Sequence, residues 1–178
     1  MRLLYFILKT TLPLVMRVQF KRIVTLNRPK KYRTPTIFIS NHPSSFMDPL
    51  SISVINNPIV HFMVRADVFK AWLVPIFSSA QMFPIYREHD GGKEALEKNQ
   101  ESFAKAEKVV GINKGLIIFA EGFTDDVFIR RLKPIKKGPA RIAIGAMERF
   151  DWEKEIFIQC VGINYTDPGK MRSELIMS

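Results

Sequence analysis

Apolar and polar positions along the chain follow two rhythms, short continuous apolar blocks and longer stretches with helical spacing. Thr36-Ile37-Phe38-Ile39-Ser40 and Ile59-Val60-His61-Phe62-Met63-Val64 are β-branched and aromatic runs that read as buried strands. Between them Asp48-Pro49-Leu50 opens a helix, with Asp48 as N-cap and Pro49 at the first helical position, where a missing N–H is harmless. A second helix is expected over 67–77, then an extended stretch Met82-Phe83-Pro84-Ile85-Tyr86 that ends in Arg87. Gly91-Gly92 breaks the chain, after which Leu96, Phe103 and Val110 recur every seven residues among Glu and Lys. That spacing marks an amphipathic helix ending near Gly111. Gly115 to Ala120 is the clearest buried strand, and Glu121-Gly122 stops it. A helical pattern returns from Gly138 to Phe150, and one long strand is expected from Glu155 to Tyr165. Strands alternating with helices predict a single α/β domain with a mostly parallel central sheet flanked by helices.

The first 34 residues have a different character. Nine basic residues from Arg2 to Arg33 precede the first acidic one, Asp48, and between them lie Leu3 to Leu8, Thr10 to Met16 and Val18 to Phe20. A helix that crosses a bilayer needs about 20 largely uncharged residues, and Lys9, Pro13 and Arg17 interrupt this stretch. It reads instead as a membrane-associating helix that lies among lipid headgroups, held by apolar burial and by attraction to anionic lipid. An ordinary core helix with a basic loop is the alternative. No small-residue cleavage site follows, so a removable signal peptide is not expected. The predicted division is thus a basic, apolar membrane-associating segment over 1–34 and the main domain over 35–178. The chain stops in a polar stretch after Asn164 to Gly169, which reads as a piece of something longer.

Composition narrows the classes. With 178 residues, 47% hydrophobic and 14 Phe, the chain is one domain long and can fill a core, which sets disorder aside. The lone Cys160 excludes an internal disulfide framework and a Cys-rich metal centre, and points to a reducing compartment. His42, His61 and His89 lie far apart, so no metal site is expected. The balance of 27 Lys plus Arg against 17 Asp plus Glu leaves a formal charge of +10, which needs an anionic partner such as nucleic acid, membrane lipid or a phosphorylated substrate. Nucleic acid would require aromatic and basic residues interleaved on one surface, whereas the Phe residues sit in apolar runs.

In sheets of this kind ligands bind beyond the carboxyl ends of the strands, and the polar blocks fall there. Asn41-His42-Pro43-Ser44-Ser45-Phe46-Met47-Asp48-Pro49 offers an imidazole with a carboxylate six positions on, which is general-base material. Six is not a same-face helical spacing, so the two meet only if the loop folds back; otherwise Asp48 is an N-cap and His42 a loop histidine. Arg87 can grip phosphate through its planar fork or form a surface salt bridge. Gly122 permits close approach of a ligand to the backbone, or simply a turn. Residues 130–141 hold six cations, Lys136 and Lys137 among them, and enter a helix start at Gly138-Pro139 that favours an anion. No Gly-x-Ser-x-Gly elbow, phosphate loop or dinucleotide fingerprint occurs. Cys160 sits in an apolar strand pattern and reads as inert packing.

The order of these blocks resembles the glycerolipid acyltransferase family typified by bacterial PlsC. That family carries a His…Asp block after a strand, a block ending in Arg, Phe-Pro-Glu-Gly, and an apolar Val-Pro-Val-like strand. Here they look like Asn41 to Pro49, Phe83 to Arg87, Phe119-Ala120-Glu121-Gly122, and Ile158 to Tyr165. Five residues rather than the usual four separate His42 from Asp48, as in one branch of the family, and Ala120 and Cys160 stand where Pro is usual. The resemblance implies transfer of a fatty acyl group from acyl-CoA or acyl-carrier protein to a hydroxyl of lysophosphatidate or glycerol 3-phosphate, in phospholipid biosynthesis. It implies His42 as general base, Asp48 as its orienter, and Arg87, Glu121, Gly122, Lys136 and Lys137 as substrate-binding residues. It implies no cofactor or metal, direct attack without an acyl-enzyme, and a peripheral or monotopic place on the cytoplasmic face of the membrane, with the phospholipid surface and possible carrier protein as partners and no nucleic acid. The alternatives are a non-catalytic basic membrane-binding module, and the same chemistry on a non-phosphate lipid alcohol or an amino-lipid.

Overall fold

The computed structural model describes residues 2–27, 33, 35–45, 47–55, 60–86, 92–122, 128 and 131–178. In chain order they form α1 (Arg2–Gln19), β1 (Phe20–Thr25), β2 (Thr36–Ser40), α2 (Met47–Ile55), β3 (Val60–Arg65), α3 (Val74–Ser79), β4 (Met82–Ile85), α4 (Gly92–Gly111), β5 (Gly115–Phe119), α5 (Gly138–Arg149), β6 (Phe157–Val161), β7 (Ile163–Tyr165) and β8 (Ser173–Met177). Five strands make a wholly parallel sheet in the order β4-β3-β5-β2-β6. The α/β architecture with a parallel central sheet is therefore as the apolar blocks predict.

Alternation along the central strands assigns each face its cover. Phe38 and Ile117 face a cluster with Met16, Phe20 and Ile52, built from α1, α2 and the C-terminal strands. Their neighbours Ile37, Leu116 and Ile118 face Ala106, Val110, Ile142 and Ala146 of α4 and α5. From β2 the chain departs through α2 to β3 on one side, and from the adjacent β5 through α5 to β6 on the other. The loops after β2 and β5 thus diverge around a crevice at the carboxyl edge, the place such a sheet offers a ligand.

Four local expectations are corrected. Residues 155–165 are not one strand: β6 belongs to the large sheet, and at Gly162 the chain passes into β7 of a second sheet, ordered β1-β8-β7. Gly162 exchanges backbone hydrogen bonds with Ser178, and a Cβ there would lie 2.9 Å from the Ser178 hydroxyl. The part of the 1–34 segment after α1, where no strand was expected, begins as β1, paired in parallel with β8. β8 itself occupies the supposed polar end, with Ser173, Leu175 and Met177 buried at period two. The helix expected over 67–77 is two 3₁₀ turns, Ala66–Val68 and Ala71–Leu73, and then α3, because Lys70 is extended and Pro75 is accommodated only in the first turn of a helix.

The N-terminal segment is a continuous helix through Pro13. Its inner side places Met16 in the core, and the next residue after the helix, Phe20, is 2% exposed. No helix among the described residues is long and apolar enough to cross a membrane. Cys160 is exposed on β6, contrary to the packing expected of it, because β6 is an edge strand with little cover on that side.

Candidate active site

The loop after β2 is pinned residue by residue. Ser40 Oγ donates to the Val161 carbonyl (2.9 Å), and the Asn41 side chain pairs with the backbone of Ile163 in both directions, at 2.8 and 2.7 Å. The next residue, His42, donates its backbone N–H to Glu121 Oε2 at 3.0 Å. Its ring stacks on Phe119 of β5 with centroids 4.1 Å apart. The loop then folds back, as the pairing of His42 with Asp48 requires: Met47 N–H donates to the Ser44 carbonyl, and α2 begins.

His42 Nδ1 meets Asp48 Oδ2 at 2.7 Å. The same oxygen accepts the Ser44 N–H at 2.8 Å, and the other, Oδ1, accepts the Tyr165 hydroxyl at 2.7 Å. Asp48 is therefore not an N-cap, as its sequence position before Pro49 predicted. It lies inside the first turn of α2, fully buried, with its carboxylate turned back to the loop. Burying a carboxylate is tolerable only when it is paired and hydrogen-bonded, and three donors supply that. Burial, and then the neighbouring Asp48 carboxylate, push the Tyr165 phenol well up, so it acts as a donor. With Nδ1 committed to Asp48, the proton-accepting nitrogen of the neutral His42 ring is Nε2.

Glu121 comes to the same place from β5. Both of its oxygens serve backbone groups: Oε2 takes His42 N–H, and Oε1 takes Lys133 N–H at 3.1 Å. The Lys133 ammonium lies 3.9 Å from Oε2, and both side chains are buried. Glu121 thus holds the scaffold of His42, and it also lines the cavity beside that loop. Gly122 follows at φ 75°, a region that favours glycine, and a Cβ there would stand 2.9 Å from Lys136 Cε. Lys136 is accordingly brought against the Glu121-Gly122 turn, its own N–H donating to the Ala120 carbonyl. Lys137 stands exposed at the start of α5. Arg87 lies outside the described residues; the residue before it, Tyr86, is clamped in both directions by Asn99 of α4, at 2.8 and 2.6 Å.

A cavity of about 380 Å³ opens beside this loop, lined by Pro43, Glu121, Phe128, Arg131 and Cys160 among others. Among the described residues no group of His, Cys, Asp and Glu could hold a metal ion. Sequence reasoning missed Tyr165, Asn41 and Asn99 as site-building residues. The signal for Tyr165 was slight, a hydroxyl-bearing aromatic on an otherwise apolar strand block.

A histidine–carboxylate pair held in this way at the carboxyl edge of a parallel sheet is equipped to take a proton from a hydroxyl. The chain belongs to the Acyltransferase family, which it matches over residues 18–164. Among solved structures its fold is similar to that of the 1-acyl-sn-glycerophosphate (LPA) acyltransferase, PlsC, from Thermotoga maritima. That match has a TM-score of 0.61 and 14% identity, and covers 98% of this chain and 67% of that one. At that identity the likeness is one of fold. No curated protein matches the sequence.

Proposed function

We propose that the protein transfers a fatty acyl group from an acyl thioester, acyl-CoA or acyl-carrier protein, to a hydroxyl of a glycerophosphate acceptor. The observation that carries this reading is the His42–Asp48 pair at 2.7 Å, set at the carboxyl edge of the sheet beside the cavity. His42 Nε2 takes the proton of the acceptor hydroxyl as its oxygen attacks the thioester carbonyl, and Asp48 holds the ring and balances the imidazolium. The C–S bond then breaks, and the leaving thiolate recovers the proton from His42. Ester and free thiol are the products, and no acyl-enzyme forms. Glu121 keeps the His42 backbone in place and, with Arg87 and Gly122, positions the glycerol phosphate, while Lys136 and Lys137 receive the phosphate or the donor. The α1 helix rests on the cytoplasmic face of the membrane, where a lipid acceptor resides, supported by its cations and its exposed apolar side chains.

The test is free-thiol release from palmitoyl-CoA by detergent-solubilised protein, with glycerol 3-phosphate, with lysophosphatidate and with no acceptor, beside His42→Ala. Acceptor-dependent release that the variant abolishes is the expected result and names the acceptor. Equal release by wild type and His42→Ala would overturn the reading. Arg87→Ala distinguishes acceptors, since a phosphate-bearing one loses binding and an uncharged one does not.

A further inference from the structure

Among the described residues seventeen large hydrophobic side chains are exposed, and nine of them fall on α1 and the stretch 68–76. These two elements touch, because α1 packs against α3. On α1, Ile7, Leu14, Val15 and Val18 stand at i, i+7, i+8 and i+11, one helical stripe on the side away from buried Met16. On the second element Val68, Trp72, Val74 and Ile76 are exposed, and Trp72, at 71%, more than any other large hydrophobic described. Beneath them the rings of Phe69 and Phe77 pack with centroids 4.9 Å apart, so the segment is held from below while its indole reaches outward. Apolar surface gathered in this way marks a site of association.

Charge selects the occupant. Residues 2–25 contain no Asp or Glu, and Arg17 and Arg22 are exposed there. Lys70 is exposed in the middle of the second element, and the neighbouring acidic residue Asp67 is ion-paired with Arg65. Apolar side chains flanked by exposed cations complement an anionic lipid surface, and an indole, apolar with one polar N–H, suits the headgroup level.

We propose that residues 68–76, led by Trp72, dock together with the outer stripe of α1 onto an anionic phospholipid bilayer, as a second membrane contact beside the N-terminal helix. This rests on the membrane placement of α1 proposed above, and is independent of which acceptor is acylated. The full chain carrying Trp152→Phe leaves Trp72 as its single tryptophan, since the chain has two. With vesicles of phosphatidylglycerol and phosphatidylcholine its emission should shift to the blue and be quenched by lipids brominated in the acyl chains, and with phosphatidylcholine alone it should shift less. In the otherwise native chain, Trp72→Ser should weaken partition into anionic vesicles by about tenfold or more, with an unchanged thermal midpoint. Cosedimentation with vesicles while Trp72 emission stays unshifted and unquenched would overturn the proposal, α1 then being the whole contact. A blue shift that follows protein concentration without vesicles would also overturn it, in favour of a second copy on this face. Because these readings are spectroscopic, a chain that binds vesicles through Trp72 but releases no thiol upholds this inference while refuting the acyl-transfer reading.

Discussion

Replacing Tyr165 by Phe removes one hydroxyl and little else. The ring keeps its stacking on Phe20, with centroids 5.5 Å apart, and its edge contact with Phe128. What is lost is the 2.7 Å hydrogen bond to Asp48 Oδ1, leaving that carboxylate only the His42 and Ser44 donors, both on Oδ2. A hydrogen bond to a charged acceptor is worth about 1.5–3 kcal/mol net. Held at one oxygen, the carboxylate can rotate, and the imidazole that follows it leaves the geometry of proton abstraction. If the loss is felt mainly in the transition state, it corresponds to about a ten- to hundredfold fall in kcat. The assay is thiol release at saturating donor with the acceptor titrated, beside urea unfolding. The expected outcome is a fall in kcat with the acceptor KM nearly unchanged. Ser51→Ala is the control: Ser51 Oγ lies 3.2 Å from the Tyr165 hydroxyl but does not touch the carboxylate, and its kcat should stay within about threefold of wild type. If Tyr165→Phe lowers the urea midpoint yet leaves kcat within twofold, Tyr165 serves packing alone and the reasoning fails.

Three further outcomes are expected. Glu121→Gln turns an amide N–H₂ toward a backbone donor, His42 or Lys133, and should cost about 1–3 kcal/mol in urea unfolding as well as reducing kcat; an unchanged midpoint would show the two backbone bonds to be dispensable. Gly122→Ala places a Cβ at φ 75° and should cost about 1–3 kcal/mol, with Lys136 displaced from the turn; stability equal to wild type would refute the strain. His61 is held at about 4 by burial first and by the Lys114 charge second, against 6.5 when free, and its Nδ1 finds no hydrogen-bond partner among the described residues. The unfolded chain therefore takes the proton more readily, so this contribution is intact above pH 6.5 and is lost as pH falls toward about 4. The upper figure is about 3 kcal/mol, lessened by solvent screening. His61→Leu should flatten that part of the stability profile, and parallel profiles for the two proteins would refute it.

Much of the fold was written in local pattern. Strand blocks such as Gly115 to Ala120 and the seven-residue spacing that marked α4 depend on which face of an element is apolar, and neighbouring residues decide that. The same holds for the His42…Asp48 loop, whose two chemical groups lie six positions apart in one short segment. Asp48 shows the limit even there: its place before Pro49 reads as a helix cap, and only the folded loop turns its carboxylate to the imidazole.

The sequence by itself determined an α/β domain with a parallel sheet, the polar blocks at its strand ends, and the family to which the chain belongs. Tertiary structure alone decided what holds those blocks together. Tyr165 reaches Asp48 across 117 positions, Asn41 reaches Ile163 across 122, and Glu121 reaches the His42 backbone across 79. The sheet that carries Tyr165 is closed by β1 and β8, from opposite ends of the chain, and neither was legible as a strand. The physical reason is that periodicity specifies which side of an element is buried and leaves its partner open. Partners are chosen when the whole core packs and every buried polar group must find a donor or acceptor.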